Sequence, residues 1–268
     1  MNTIETNVGK HKVVSRDEWI AARKAHLEHE KELTHLRDRL SAERRQLPWV
    51  KVDKNYVFDA PGGKKSLADL FEGRSQLMVY HFMFGPGWEE GCRSCSYLMD
   101  HVDGMLPHLS ARDVTFSAIS RASMAQIESF KKRMGWRFKW VSSGGNDFNY
   151  DYQVSFKKED LAKGKVRYNY EETNAPPFED FPGLSVFVRD DSGNVFHTYS
   201  AFSRGLDILV GTYNYLDLLP KGRDEDGLAF SMAWVRHHDR YGADYVVDPK
   251  AGYIPPKGAL CPHCTGEA

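Results

Sequence analysis

The sequence is poor in several features that would each define a class of protein. Lys and Arg number 36 against 37 Asp and Glu, a formal net charge of −1, which disfavours a general electrostatic role on nucleic acid or on an acidic membrane. No apolar run approaches the roughly 18 residues of a transmembrane helix. The first residues, MNTIETNVGKHKVV, lack the apolar core of a secretory signal. We therefore expect a cytoplasmic protein with neither a nucleic-acid nor a membrane partner.

Cysteine is also scarce, but its placement is not random. The 4 cysteines form two Cys-x-x-Cys pairs, Cys92 with Cys95 and Cys261 with Cys264. So few cysteines cannot be the disulfide framework of a chain this long, and a cytosol keeps thiols reduced. The two pairs therefore predict redox-active or metal-binding thiols.

The apolar content is ample, at 41% hydrophobic and 13% aromatic residues, and is sufficient for one large domain. Near the start, Ser15 and Glu18 have the spacing of a capping box. Leucines then recur at helical spacing until Pro48. These features predict a helix over residues 15–46. Because its apolar stripe is narrow, the helix is a candidate interface for a homodimer.

From residue 49 onward, strand-like and helix-like segments alternate. The apolar run 77–84 is typical of a strand buried on both faces. Helical patterns follow over 92–109 and 123–134, and residues 184–188 and 195–199 flank a turn typical of a β-hairpin. This alternation predicts an α/β fold with a mixed central sheet flanked by helices.

Three parts are predicted along the chain. Residues 1–48 form a helical extension, residues 49–220 form the main domain with an insertion near 155–181, and residues 221–268 form an extended tail that carries the second cysteine pair. Within this tail, the run His237–Asp239 predicts a solvated helix end.

The first cysteine pair lies between a predicted strand and a predicted helix. Free backbone N–H groups at a helix start favour a thiolate, and Arg93 acts in the same direction, whereas Glu89 and Glu90 oppose it. We therefore expect Cys92 to be the nucleophile and Cys95, one turn later, to attack the mixed disulfide. This assignment requires that the sulfurs not be sealed beneath the core. Half of a zinc site and inert packing are the alternatives.

Most of the chain resembles a known family. The runs that carry the resemblance are FMFGPGWEEGCRSCS, KRMGWRFKWVSSGGNDFNYDYQVSF, PGLSVFVRD, VFHTYSAFSRGLD and YNYLDLLPKGRDE. They resemble a bacterial thioredoxin-like family of uncharacterised proteins, the predicted dithiol-disulfide oxidoreductases. The resemblance implies a thioredoxin-like fold over residues 49–215, with a long N-terminal helix and a C-terminal tail added to it.

The same resemblance points to residues beyond the cysteines. Pro182 matches the cis-proline that faces the dithiol and positions substrate backbone in thioredoxins, although most loop prolines are trans. His81 falls near the buried acidic group that helps to deprotonate the resolving thiol; a histidine in an aromatic strand is also a common core residue. Thioredoxins place Trp directly before the first cysteine, whereas here Gly91 holds that place and Trp88 lies earlier in a longer loop.

Two arginines complete the predicted substrate-positioning set with Pro182 and Trp88. Arg93 separates the two cysteines, and Arg121 follows a strand whose end lies at the same rim as Cys92 in a thioredoxin-like fold. Arg121 can assist a thiolate or bind an anionic substrate group there. The alternative for Arg121 is a surface ion pair.

A peroxiredoxin-like peroxidase is the nearest related activity. Its catalytic loop requires Pro-x-x-x-Thr/Ser-x-x-Cys, but Gly85 and Glu89 hold the proline and hydroxyl positions before Cys92. A carboxylate at the hydroxyl position would repel a peroxidatic thiolate. The sequence therefore disfavours this type of peroxidase.

The second pair, Cys261 and Cys264, has a different context. Pro255 and Pro256 precede it, and too little chain follows to build an activating helix. It is interpreted as a dithiol that passes electrons to the first pair, as two ligands of a four-thiolate zinc site, or as an unordered tail.

The function predicted from these features is thiol–disulfide exchange at Cys92 and Cys95, with no organic cofactor. The partner is a disulfide-bearing protein or a small thiol compound. The alternative is a non-catalytic thioredoxin-fold binding or scaffold protein whose Cys-x-x-Cys pairs bind zinc or are inert.

Overall fold

The computed structural model describes residues 2–6 and 9–250. They form two compact units: one holds the chain up to Pro48 together with Leu216–Arg223, and the other holds Trp49–Tyr215 and the chain from Asp224 onward. Cys261 and Cys264 lie outside the described residues, so every interpretation of the second pair stays a prediction.

The first unit contains a hairpin and a long helix. Strands β1 (Asn2–Thr6) and β2 (Gly9–Val13) pair antiparallel, and α1 covers Arg16–Arg45. Both halves of the capping box are present: the Ser15 hydroxyl accepts from the Glu18 N–H, and the Glu18 carboxylate accepts from the Ser15 N–H at 2.9 Å. The predicted helix is therefore confirmed.

Side chains of the apolar stripe on α1 are exposed to solvent, and no α1 residue is buried. The exposed leucines are Leu27, Leu33, Leu36 and Leu40. A homodimer through this helix stays a prediction, which the solution mass by light scattering can test.

The second unit is built on an eight-stranded sheet. Its strands are β3 (Val50–Lys51), β4 (Val57–Ala60), β5 (Gly63–Ser66), β6 (Gln76–His81), β7 (Val114–Ser120), β8 (Lys139–Ser142), β11 (Gly183–Arg189) and β12 (Val195–Phe202). Their spatial order is β3-β12-β11-β6-β7-β8-β4-β5. A separate hairpin, β9 (Lys165–Tyr168) with β10 (Glu171–Asn174), lies in the predicted insertion.

Six α-helices follow Trp49 in the described part of the chain. They are α2 (Arg93–Met99), α3 (Val102–Ala111), α4 (Met124–Arg133), α5 (Phe148–Asp151), α6 (Lys158–Ala162) and α7 (Gly211–Leu216). The helix predicted over 92–109 is thus two helices. The break falls at Asp100, whose carboxylate is held from outside the helix by the indole N–H of Trp136 at 2.8 Å.

The arrangement around β6 defines the fold. Strand β6 is parallel to β7, and α2 and α3 connect the two; on its other side β6 is antiparallel to β11, which forms a hairpin with β12. A parallel strand–helix–strand unit beside an antiparallel hairpin is the core of a thioredoxin-like fold, so the predicted fold class is confirmed. Because β6 is central and covered on both faces, its side chains from Val79 to His81 are buried.

No helix among the described residues is both long enough and apolar enough to cross a membrane.

Candidate dithiol site

The first cysteine pair lies where the chain returns from β6 into α2. Cys92 is the N-cap residue of α2, and its N–H donates to the carbonyl oxygen of Met83 at 3.0 Å. The Ser96 N–H then donates to the Cys92 carbonyl at 2.9 Å and closes the first turn. The end of the strand region and the start of the helix are therefore joined at Cys92, as the sequence predicted.

Cys92 and Cys95 are both free thiols and are in hydrogen-bond contact with each other. The hydrogen bond from Cys95 is the largest cause that lowers the pKa of Cys92, to about 7. The backbone N–H groups of Cys95 and Ser94 and the charge of Arg93 act in the same direction, while burial opposes them. Cys92 is thus partly ionised at neutral pH, which is what a nucleophilic thiol requires.

The second thiol behaves in the opposite way. Burial is the largest cause that raises the pKa of Cys95, and the neighbouring Cys92 thiolate adds to it. Two groups act against this rise: the hydroxyl of Tyr80 and the backbone of Met83 both hydrogen-bond the Cys95 sulfur. At neutral pH, one sulfur is therefore partly ionised and the other stays protonated beside it.

Tyr80 is a site residue that sequence reasoning missed. It is 2% exposed, and burial followed by the Cys95 thiolate raises the pKa of its phenol well above the usual value. The hydroxyl therefore remains protonated and acts as a hydrogen-bond donor to the sulfur. The signal in the sequence was the strand alternation, which sends Tyr80 and His81 to opposite faces of β6.

The structure does not bring His81 to the sulfurs. Its Nε2 lies 2.9 Å from the hydroxyl of Ser185, and its ring stacks on Phe148 and Tyr152. Burial lowers the pKa of His81 to about 3, so the imidazole is neutral. Within the described chain, none of the contacts of His81 is with Cys92 or Cys95, and the base role predicted for it has no geometric support.

Both cysteines are buried, whereas the sequence-based assignment required sulfurs that are open to solvent. Cys92 is 3% exposed and Cys95 1%. Trp88, in the loop before Cys92, is also buried, and its carbonyl accepts from the side-chain amide of Gln126 at 2.9 Å. On the sheet side, Tyr80 of β6 contacts the Cys95 sulfur.

A side chain at the position directly before Cys92 would clash with two aromatic rings, so glycine fits there. A Cβ at Gly91 would lie 2.5 Å from a ring carbon of Phe82 and 2.8 Å from one of Phe130. Since such distances are not tolerated, no larger residue fits at this position without movement of the rings. A tryptophan directly before Cys92, as in thioredoxins, would therefore not fit in this protein.

His237 also reaches this position and corrects the sequence-based prediction. It is 0% exposed, and its Nε2 lies 2.9 Å from the carbonyl oxygen of Gly91, 146 residues away in the sequence. The run His237–Asp239 is therefore not a solvated helix end; a short 3-10 helix, His238–Arg240, follows the buried histidine. Spacing alone offered no signal for this contact.

Charged side chains surround this part of the loop. Arg133 contacts Glu90 at 2.9 Å and Asp239 at 2.8 Å, and Arg240 contacts Glu90 at 2.7 Å. Burial works to raise the pKa of Glu90, but the hydrogen bond from Arg133 and the charge of Arg240 hold it below its usual value. Glu90 is thus neutralised by two arginines, which weakens the repulsion of the thiolate expected from the sequence.

Arg121 forms a buried cluster, not the surface ion pair considered above. Its Nε donates to Asp180 at 2.8 Å, its Nη2 to Glu179 at 2.8 Å and its Nη1 to the hydroxyl of Tyr150 at 2.8 Å. A Cβ at Gly85 would lie 2.7 Å from the Asp180 carboxylate. Arg121, which directly follows β7, therefore ties that strand to the insertion, and Asp180 of the insertion lies beside Gly85 at the beginning of the loop.

Of the two isomers that the sequence left open for Pro182, the structure has the trans isomer of an ordinary loop proline, not the cis isomer that the resemblance implied. No cis bond occurs in the described residues, so the Phe181–Pro182 bond is trans. The carbonyl of Pro182 accepts from the hydroxyl of Tyr168 at 2.7 Å. The resemblance located the loop before β11 correctly but not its backbone isomer.

Within the described residues, no three His, Cys, Asp or Glu side chains come together in a group that could hold a metal ion. The zinc alternative draws on Cys261 and Cys264, which lie outside those residues, and it stays untested.

Comparisons with known proteins give a family and a set of similar folds. Residues 8–241 match the family DUF899, bacterial proteins of unknown function. A peroxiredoxin Q mutant from Xanthomonas campestris is similar with a TM-score of 0.40 and 13% identity, covering 59% of this chain and 90% of its own. Peroxidoxin BcpB from Mycobacterium tuberculosis has a TM-score of 0.40 and 11% identity, covering 62% and 94%. No curated protein matches the sequence. Similarities this low carry no information about a shared activity.

Proposed function

The chain belongs to the DUF899 family of bacterial proteins, and we propose that it is a cytoplasmic thiol–disulfide oxidoreductase that uses Cys92 and Cys95. The observation that carries the proposal is the geometry of two hydrogen-bonded thiols at the start of α2, with Cys92 at the N-cap and Cys95 one turn later. This geometry lowers the pKa of Cys92 to about 7, while burial raises that of Cys95. A nucleophilic thiolate beside a protonated resolving thiol is the arrangement that dithiol exchange needs.

The first step forms a mixed disulfide. The Cys92 thiolate attacks one sulfur of a protein or small-molecule disulfide, so a bond forms between Cys92 and that sulfur while the substrate S–S bond breaks. The leaving thiolate takes a proton from water. No organic cofactor is needed, because the electrons come from the two thiols themselves.

The second step releases the substrate. Cys95 gives its proton to water, and its sulfur attacks the sulfur of Cys92. The hydroxyl of Tyr80 stabilises the charge that forms on Cys95. The Cys92–Cys95 disulfide forms, the second substrate thiolate leaves and takes up a proton, and two electrons have passed to the substrate. A second dithiol reverses these steps on the protein and restores the pair.

Because both cysteines are buried, a substrate reaches Cys92 only after the residues that cover it move. Small reagents should therefore react sooner than large ones. Trp88, Arg93 and the loop at Pro182 are the residues we expect a bound substrate to meet, and Arg121 holds the insertion beside them.

The test is reduction of insulin disulfides by the full chain. Cys92→Ser should lower the rate to that of the protein-free reaction, and Cys95→Ser should accumulate a mixed disulfide at Cys92. Cys261→Ser/Cys264→Ser is the matched control, since it removes only the second pair. Retained activity in Cys92→Ser would contradict the proposal, and the reduction potential of the pair would decide between a reductant and an oxidant.

The depth of both sulfurs favours one other candidate, a thioredoxin-fold binding or scaffold protein whose cysteines hold zinc or do nothing. It predicts about one zinc per chain that is lost in Cys261→Ser, or thiols that resist alkylation in the folded protein. Rapid alkylation of Cys92 in a metal-free protein would exclude it.

A further inference from the structure

The chain after Asp224 contributes one buried side chain to the loop before the first cysteine. The Nε2 of His237 lies 2.9 Å from the carbonyl oxygen of Gly91. A carbonyl only accepts hydrogen bonds, so Nε2 must carry the hydrogen. The ring also packs edge-on against Phe130, with centroids 5.3 Å apart.

The other ring nitrogen agrees with this tautomer. Nδ1 lies 3.3 Å from Nη2 of Arg133, which has only hydrogens to offer, so Nδ1 accepts. Burial lowers the pKa of His237 against the opposing hydrogen bond to Gly91 and the charge of Glu90, whose carboxylate lies 3.7 Å away. The imidazole is therefore neutral at neutral pH, with its hydrogen directed at Gly91.

The peptide group that His237 holds is the one that leads into the nucleophile. Its carbonyl belongs to Gly91 and its N–H to Cys92, and that N–H donates to Met83 at 3.0 Å. Both polar ends of this single peptide are thus anchored, one by the strand region and the other by a residue from a distant segment. Anchoring this peptide fixes the Cα of Cys92 and the direction of its side chain.

We propose that His237 is a positioning residue for the Cys92 nucleophile, which holds the Gly91–Cys92 peptide so that the sulfur faces the N–H groups of Ser94 and Cys95. The proposal rests on the proposed function, because it assigns His237 a part in that chemistry. It makes the segment Asp224–Tyr241 a component of the site and not a passive tail.

The physical consequence concerns the protonation of Cys92. Without the histidine donor, the Gly91 carbonyl is left unpaired and the Gly91–Cys92 peptide is no longer held in place. The Cys92 sulfur then loses contact with the backbone N–H groups of Ser94 and Cys95 that lower its pKa, which favours the thiol over the thiolate. The other charged or titratable groups near this peptide include Cys95, Tyr80, Arg93, Glu89, Glu90, Arg133, Asp239 and Arg240.

The test compares His237→Phe with His237→Gln in the full chain carrying Cys261→Ser/Cys264→Ser. Phenylalanine keeps the ring against Phe130 but removes the donor, whereas glutamine restores an N–H near the Nε2 position. The readout is the pH dependence of Cys92 alkylation by iodoacetamide, with the modified cysteine identified by mass spectrometry. His237→Phe should move the midpoint upward by about one pH unit, and His237→Gln should return it toward the wild-type midpoint.

A midpoint in His237→Phe equal to that of the wild type would overturn the proposal, as would equal shifts in both variants. If His237→Phe does not fold, nitrogen NMR of the wild-type histidine ring decides. We expect the Nε2–H tautomer and a resonance that moves when Cys92 is alkylated; the other tautomer or an unmoved resonance would refute the role.

Alkylation needs no disulfide substrate, so the two hypotheses fail separately. If the wild type does not reduce insulin but His237→Phe still moves the alkylation midpoint of Cys92, the proposed function is refuted and the positioning role stands. If the wild type reduces insulin but His237→Phe leaves the alkylation midpoint unchanged, the positioning role is refuted and the proposed function stands.

Discussion

Tyr80 and His81 are neighbours in β6, yet they face opposite sides of the sheet and have opposite consequences. On one side, the Tyr80 hydroxyl bonds the sulfur of Cys95. On the other, His81 begins a chain of hydrogen bonds that runs to Ser185 at 2.9 Å and from there to Ser200 at 2.8 Å. Ser200 in turn lies 2.7 Å from His197.

Both faces contain buried groups with shifted pKa values, and the difference lies in what the shifts accomplish. On the face of Tyr80, which we call the sulfur face, the pKa of Cys92 is lowered and that of Cys95 is raised, which separates a nucleophile from a proton carrier. On the face of His81, which we call the histidine face, the imidazole is neutral and is hydrogen-bonded among buried serines. A shifted pKa therefore indicates a reactive site only where the shift makes an atom more reactive, as it does for the sulfur of Cys92.

The largest effect should come from acid, which protonates the Cys92 thiolate. Because thiolate is the reactive form and the pKa of Cys92 is about 7, exchange and alkylation should fall about tenfold for each pH unit below that value. Above it they should level off. The measurement is the alkylation rate of Cys92 against pH, with a small free thiol as the reference. A midpoint at the ordinary thiol value of about 8.5 would remove the distinction between the faces.

Tyr80→Phe should have the next largest effect. It deletes the hydroxyl that donates to Cys95 while the ring remains, so the charge forming on that sulfur loses a donor. A hydrogen bond to a charged group is worth about 1.5–3 kcal/mol, which predicts resolution of the mixed disulfide slowed about tenfold or more. Quenched time points analysed by mass spectrometry would show the intermediate accumulating. Unchanged resolution would show that Tyr80 only fills space.

His81→Leu should have the smallest effect on the chemistry. It removes a partner of the buried Ser185 hydroxyl, so we expect a loss of about 1–3 kcal/mol in the free energy of unfolding. The exchange rate per folded molecule should not change. Urea unfolding and insulin reduction measure the two quantities separately, and slowed exchange in a fully folded variant would restore the base role implied by the thioredoxin resemblance.

Local features of the sequence predicted local structure well. The capping box at Ser15 and Glu18, the buried strand before the loop, and the position of Cys92 at a helix start all depend on interactions within one or two turns of chain. Features that depend on distant partners were not predictable in this way. The Gly91–His237 contact joins residues 146 positions apart, and nothing in the composition of either segment encodes the pairing.

The peptide isomer at Pro182 and the burial of Arg121 could not be predicted from the sequence, for a related reason. A proline before a strand is compatible with both isomers, and the choice depends on the surrounding loop. Arg121 was expected at the surface because arginine is usually solvated, but Asp180 and Glu179 meet it in the folded protein. The partners that make its burial tolerable come from an insertion whose path the sequence did not reveal.

The amino-acid order by itself determined that two thiols lie one helical turn apart at the start of a helix, because that spacing is a property of the backbone. Tertiary structure alone decided which thiol ionises more readily, which hydroxyl donates a hydrogen bond to the other thiol, and how much of each cysteine is exposed to solvent. Those outcomes depend on desolvation and on donors brought from remote parts of the chain, and both exist only once the sheet, the loop and the C-terminal segment have packed together.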